Sequence, residues 1–188
     1  MNKSPFAKAI HSLALVSCTL CILFILLNYF FPRVLFLALA ITFGTTGYHF
    51  VMRLLVGWIV PLLARERLNP ESFWFQSRSF EKKLYQFLRV RRWKGKMPTY
   101  DPREFSFADS TPEQIIRNSC SAELVHEIIA LLSFTPILVI PVFGEPAVFI
   151  ITSILAALAD CIFVIMQRYN RPRLQQYLKR QGASSAKN

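Results

Sequence analysis

The stretch AELVHE, Ala122 to Glu127, sets an imidazole among carboxylates. Glu123 lies three residues before His126, on the same face if the segment is helical, and Glu127 follows it directly. Histidine with a carboxylate to hold its tautomer is the common general-base arrangement, so the expected roles are His126 as base and Glu123 or Glu127 as its orienting group. A metal site is the rival, since His and Glu also bind cations. It is the weaker of the two: the histidines are His11, His49 and His126 alone, and there is no H-E-x-x-H. No metal is expected. A histidine that merely caps a hydrogen-bond network at a helix entry is the structural alternative.

Three further polar residues stand inside apolar runs, where a charge is costly and usually functional. These are His49, Arg53 and Asp160. Counting helical rise from the run ends puts Arg53, Asp160 and His126 in the same half of the bilayer. An Arg53–Asp160 pair that fixes helix packing is as good a reading as direct catalysis. Cys18 and Cys21 have C-x-x-C spacing inside an apolar run, which fits packing better than redox or zinc chemistry. Cys161 reads as a small apolar residue; Cys120, before His126, is conceivable as a nucleophile only with an activating environment. Gly-rich phosphate loops, H-x-x-x-D and G-x-S-x-G are absent.

The elements that must position these groups are membrane helices. The chain has 188 residues, 53% of them hydrophobic, with a net charge of +11. Nucleic-acid binding is one reading of such charge, but here the apolar residues are collected into long blocks, the mark of a small polytopic membrane protein. The blocks are Ala9 to Phe31, Val34 to Ala64, Leu124 to Phe143 and Ala147 to Met166. Leu15 to Cys18 resembles a lipoprotein cleavage box, yet the apolar run continues well past Cys18, so the first block reads as a retained span. Lysine and arginine crowd the N-terminus, from Lys3 to Lys8, the central segment from Arg65 to Arg117, and the tail from Arg168 to Lys187. The two short turns hold only Arg33. Both termini and the central segment are therefore expected to be cytoplasmic.

The expected fold is all-α: an integral membrane protein with four transmembrane helices in two hairpins and an amphipathic helical cytoplasmic segment. Its divisions are 1–64, an N-terminal transmembrane hairpin; 65–122, a basic cytoplasmic or interfacial segment; 123–174, a C-terminal transmembrane hairpin; and 175–188, a polar tail. Within the central segment, Phe80, Leu84, Phe87 and Leu88 recur at helical spacing, which suggests a basic amphipathic helix from Ser79 to Trp93 on the bilayer surface or packed on its own protein. Thr111-Pro112-Glu113-Gln114 carries a capping-box start for a helix running into the third span. The last motif, QRYNRPRL from Gln167 to Leu174, exceeds a stop-transfer cluster, because Tyr169, Asn170 and Pro172 add no charge.

RRWKGKMP at Arg91 to Pro98, AELVHE and QRYNRPRL follow one another as in the glycosyl-4,4′-diaponeurosporenoate acyltransferase family, which this chain resembles over about residues 65–175. The resemblance implies a cell-membrane enzyme transferring a fatty acyl group to the primary hydroxyl of a sugar on an apolar carotenoid acid. A longer first span and fuller N-terminal hairpin depart from the compact members. The implied partners are an acyl-CoA or other acyl donor as co-substrate and a membrane lipid or glycosylated carotenoid as acceptor, with no cofactor and no nucleic acid. Trp93, Lys94, Lys96, Arg168, Tyr169, Asn170, Arg171 and Arg173 would shape the donor site. Two other functions fit the basic segments: a non-enzymatic scaffold or anionic-lipid binder, and a transferase with a phospholipid donor.

Overall fold

A computed structural model describes residues 4–185, with side chains through Arg180. Lys3 and Lys187, used above in the charge count, lie outside the described residues, as does the end of the tail. Among the described residues every regular element is helical. Four helices are long and apolar enough to cross a membrane: Pro5–Phe30, Val34–Arg67, Pro112–Phe143 and Pro146–Arg180.

Helix α1 (Pro5–Phe30) starts where the Ser4 side chain accepts from the Ala7 backbone and Pro5 occupies the first position. Helix α2 (Val34–Ala64) packs along it. The approach is close because α2 presents Gly44 and Gly47 to the Cys21 and Cys18 sulfurs. A Cβ would stand 3.1 Å from the Cys21 sulfur at Gly44 and 3.3 Å from that of Cys18 at Gly47. The C-x-x-C spacing thus serves packing, small residue against small residue, as in membrane helix pairs generally.

The central segment differs from one continuous amphipathic helix. Helices α3 (Glu81–Phe87) and α4 (Val90–Trp93) are separated by Arg89, whose φ of 51° is left-handed. The Trp93 indole donates to the Leu88 carbonyl at 2.9 Å and holds that break. The buried face is also different. Glu81 and Val90 point inward, whereas Phe80 and Phe87 are exposed. Glu81 is drawn inside by an arginine of the last helix, and that rotation turns the two phenylalanines outward.

Helix α5 (Pro112–Leu132) begins with the expected capping box: the Thr111 hydroxyl accepts from the Gln114 backbone, and Gln114 accepts from the Thr111 N–H. It does not reach Phe143 unbroken. After Ser133 the chain passes through a 3-10 turn, Thr135–Val139, and a short helix α6 (Ile140–Phe143). Pro136 and Pro141 bring no N–H to an α-helical ladder, which accounts for the break. Gly144 then turns the chain at φ 68° into α7 (Pro146–Ser185), a single helix of 40 residues. It continues through Pro172, well past Met166 where the apolar block ends, so QRYNRPRL is helical.

Besides α1 on α2, the extensive packing is α5 on α7, with α2 against both. Met52 and Val56 of α2 meet Val125 and Ile129 of α5 in a small apolar core flanked by Tyr48, Val60 and Ile128. The outward leucines, such as Leu15, Leu35, Leu62 and Leu155, are exposed, as a lipid-facing surface requires.

Candidate active site

Hydrogen bonds between helices set their register. Asp160 of α7 faces His126 of α5, Arg168 faces Glu123, and Arg171 reaches the Ser119 carbonyl, so α5 and α7 run antiparallel. On α2, Arg53 pairs with Asp160 while the Tyr48 hydroxyl donates to the Leu132 carbonyl at 2.9 Å. Helices α2 and α5 therefore oppose each other as well, and α2 runs parallel to α7.

His126 and Asp160 form a dyad. The imidazole Nδ1 lies 2.8 Å from Asp160 Oδ1; an ionised carboxylate only accepts, so Nδ1 carries the proton and donates it. That tautomer leaves the Nε2 lone pair as the basic site. Phe163 stacks on the ring at 4.6 Å between centroids and 8° between planes, which fixes its orientation. The other Asp160 oxygen accepts from Arg53, whose guanidinium also donates to the His49 carbonyl at 2.9 Å and the Ala156 carbonyl at 3.1 Å. Asp160 is buried, whereas the His126 side chain keeps 23% of its surface open.

One turn along α5, a second cluster is closed. Glu123, wholly buried, accepts from Arg168 at 2.6 Å through one oxygen and from Arg171 through the other. Arg168 also holds Glu81 at 2.8 Å and donates to the Trp74 and Gln76 carbonyls, both at 3.0 Å. Arg171, 1% exposed, donates to the Phe75 carbonyl at 3.0 Å. The Tyr85 hydroxyl donates to the second Glu81 oxygen at 2.7 Å. Burial and the Glu81 carboxylate hold this phenol well above its usual range. Two carboxylates and two guanidiniums thus balance, and together they strap residues 74–76 onto α5 and α7.

Farther along, a cleft of about 590 Å³ opens between α5, α7 and the central segment. Lys94, Asn170 and Arg173 supply its polar side; Phe105, Phe107, Ile115 and Tyr177 supply its apolar side. The Tyr169 ring gathers two cations: the Arg173 guanidinium lies 3.6 Å from its centroid and the Lys94 ammonium 5.2 Å. Lys94 also donates to Asn170 Oδ1 at 2.6 Å. Ser119 and Gln167 of the cleft lie seven residues from His126 and Asp160 respectively, about two helical turns from the dyad.

These positions sort the residues expected from sequence. The carboxylate on His126 is Asp160, not Glu123 or Glu127. Glu123 is taken up by Arg168 and Arg171, and Glu127 points elsewhere, accepting from the Trp74 indole at 2.9 Å. The Arg53–Asp160 pair is present, with the histidine added to it. In QRYNRPRL, Asn170 and Arg173 line the cleft, Tyr169 organises its cations, and Arg168 sits inside the protein's own ion-pair cluster; Arg171 borders the cleft with its charge already paired. Of the WKGK segment Lys94 alone reaches the cleft; Lys96 is exposed, and Trp93 bonds Leu88. His49 is buried. Cys120 is also buried, beside Arg171 and Glu123 rather than His126. Sequence does not single out Glu81 and the Trp74–Gln76 carbonyls, and only the need of a buried arginine for partners could have pointed to them. Among the described residues no group of three His, Cys, Asp or Glu side chains is placed to hold a metal ion.

Residues 70–180 match the family model described as glycosyl-4,4′-diaponeurosporenoate acyltransferase, a stretch that contains the dyad carboxylate and histidine, the closed cluster and the cleft. No curated protein and no solved structure matches the chain.

Proposed function

Because the chain belongs to the glycosyl-4,4′-diaponeurosporenoate acyltransferase family, we propose that it is a membrane O-acyltransferase that esterifies a sugar hydroxyl of a glycosylated carotenoid acid. The observation that carries the mechanism is the 2.8 Å contact between His126 Nδ1 and Asp160. With Nδ1 donating to the carboxylate, Nε2 accepts the proton of the sugar hydroxyl as its oxygen attacks the acyl carbonyl. Asp160 steadies the imidazolium that forms, and Arg53 holds the carboxylate in place from its other side. As the tetrahedral intermediate collapses, the donor's leaving group departs and takes the proton back from Nε2. An acyl thioester and an alcohol thus become an ester and a thiol, with no cofactor.

The donor is an acyl-CoA, whose phosphates suit the Lys94, Asn170 and Arg173 side of the cleft. The acceptor lies in the bilayer with its polyene among the spans and its sugar at the interface. The topology is two hairpins, 1–64 and 123–174, in the cell membrane, with both termini and segment 65–122 in the cytoplasm. The one-sided lysine and arginine distribution supports this. Labelling from outside of a cysteine placed at Lys96 or Lys179 would overturn it.

The chemical test is His126→Gln, which keeps much of the size and one hydrogen bond but removes the base. Transfer from acyl-CoA to a glucosyl ester acceptor in proteoliposomes should fall about 10²–10⁴-fold in protein that inserts as the parent does. Retention of more than about a tenth of the parental rate would remove His126 from the mechanism.

A further inference from the structure

The outer side of α3 takes no part in the packing described above. Phe80, at the N-cap with helical dihedrals, and Phe87 are seven residues apart with Lys83 between them, so the three form one row along the helix. Glu81 and Tyr85, which bond to each other, lie on the opposite side. Through these two α3 is fixed to α7: Glu81 meets Arg168, and the Tyr85 ring meets the Tyr169 ring edge-on at 5.3 Å between centroids. The row therefore points away from the bundle, and Phe80 and Phe87 are 63% and 83% exposed.

Height along α7 decides what surrounds this row. The apolar run of α7 ends at Met166, and Arg168 and Tyr169 follow within about one turn. Held by those two residues, α3 sits at the border of the bilayer, where an outward side chain meets headgroups and the first methylenes of lipid. Aromatic rings are favoured at that border, with their bodies against the acyl chains. In water the same two phenylalanines would forfeit the gain of burying their apolar surface.

Charge identifies the lipid. From Phe73 to Lys96 there are eight lysines and arginines and a single acid, Glu81, which Arg168 neutralises on the inner side. Lys82 and Lys83 are exposed and have no ion-pair partner among the described residues. Arg78 lies 3.8 Å over the exposed Phe73 ring, the same coupling of an apolar ring with a cation. We propose that the row of Phe80, Lys83 and Phe87, with Lys82 beside it, is a binding surface for anionic phospholipid. The rings enter the acyl border and the ammonium groups meet the phosphates. None of these residues belongs to the transfer machinery assigned above. The inference rests on α7 spanning the bilayer and not on acyl transfer.

The test uses the full chain in vesicles of phosphatidylcholine and phosphatidylglycerol, with bromine on the acyl chains of one lipid or the other at equal mole fraction. The emission that Phe87→Trp adds over the parent should be quenched by the brominated lipids and untouched by iodide in the water. Brominated phosphatidylglycerol should act with about fivefold higher apparent affinity, the order expected for one lysine at an anionic surface. Adding Lys82→Gln and Lys83→Gln should keep the quenching and bring that ratio below about twofold. Phe80→Trp gives the same reading at the other end of the row if Phe87→Trp does not insert. Quenching by iodide would put the row in water, and shielding from both bromine and iodide would put it against protein, as in a second copy of the chain. Either result overturns the proposal, as does equal quenching by the two lipids in the parent or a ratio that survives loss of both lysines. A chain that binds lipid in this way but transfers no acyl group would sink the proposed function alone.

Discussion

Two clusters of buried charge centre on the same pair of helices, α5 and α7, one turn apart along α5. In the first, Glu123 and Glu81 meet Arg168 and Arg171, the charges cancel, and the remaining donors go to backbone carbonyls; only the Arg171 Nε lacks a partner. In the second, Asp160 is shared between Arg53 and His126, and the histidine retains one ring nitrogen beyond its bond to the carboxylate. Both clusters contain acid and base side chains in hydrogen-bond contact. The first has spent all but one donor, the Arg171 Nε, on holding the central segment to the helices. The second keeps a lone pair on a partly open ring, and this separates a group able to move a proton from one that only fastens the fold.

If that contrast holds, the two clusters fail differently. We expect the largest effect from Glu123→Gln, which leaves two guanidiniums facing a neutral amide. Breaking a buried pair costs about 3–5 kcal/mol, so folded protein recovered in detergent should drop sharply and its thermal midpoint should fall. Arg171→Lys should behave alike, since an ammonium cannot copy a guanidinium fork spread over Glu123, Phe75 and Ser119. A Glu123→Gln protein that melts with the parent would show the cluster to be incidental.

Asp160→Asn should instead be mainly a kinetic lesion. The amide can hold the ring in the wrong tautomer and cannot steady an imidazolium, so transfer should decline on the order of 10²-fold. Some stability is lost too, because Arg53 is left unpaired, and kcat measured per folded molecule separates the two effects. Equal kcat in parent and variant would place the working carboxylate elsewhere.

Much of this is legible in the sequence. The four apolar blocks, the Thr111 cap and the convergence of Arg53, Asp160 and His126 at one depth follow from local pattern and helical rise. The partner of His126 does not. Sequence favours Glu123 and Glu127 because they are neighbours in the chain, but the choice depends on how α7 is rotated against α5, which no local pattern encodes. A lone aspartate in a long apolar run is the usable signal, because it demands a donor at its own depth. QRYNRPRL misleads for a related reason: sequence shows the charge on an arginine, not whether a glutamate on another helix has already neutralised it. The Ser79–Trp93 stretch is not one helix because the chain turns left-handed at Arg89, and its buried face is not the apolar one because Glu81 pairs inward with Arg168.

The cleft sharpens the comparison at a third place, where cations are left over. Burial first, and then Arg173, hold the Lys94 ammonium below the usual lysine range. A lysine with a lowered pKa keeps its charge below that value and loses it as pH rises through it. Donor affinity should therefore be level through neutral pH and weaken on the alkaline side, earlier than an ordinary lysine would allow. Lys94→Met should start about tenfold weaker, the low end for a hydrogen bond to a charged group, and stay level over the same range. Matching pH profiles for parent and variant would exclude Lys94 from donor binding.

The smallest effect is expected at Glu127, the residue directly after the histidine. Adjacent residues on a helix point about 100° apart, so closeness in sequence puts Glu127 on a different side of α5 from His126. Its partner is the Trp74 indole, an exposed contact that donates to the carboxylate. The amide introduced by Glu127→Gln would still offer a carbonyl oxygen to that indole, so the substitution preserves the bond in neutral form. Glu127 is half-buried and keeps its indole contact in the variant, so stability should change by about 1 kcal/mol or less, and transfer should stay within about threefold of the parent. The measurement is kcat beside Asp160→Asn under identical conditions. A loss at Glu127→Gln as deep as that at Asp160→Asn would return Glu127 to the role of orienting carboxylate, and the distinction between a spent and an open cluster would no longer explain which acid serves the base.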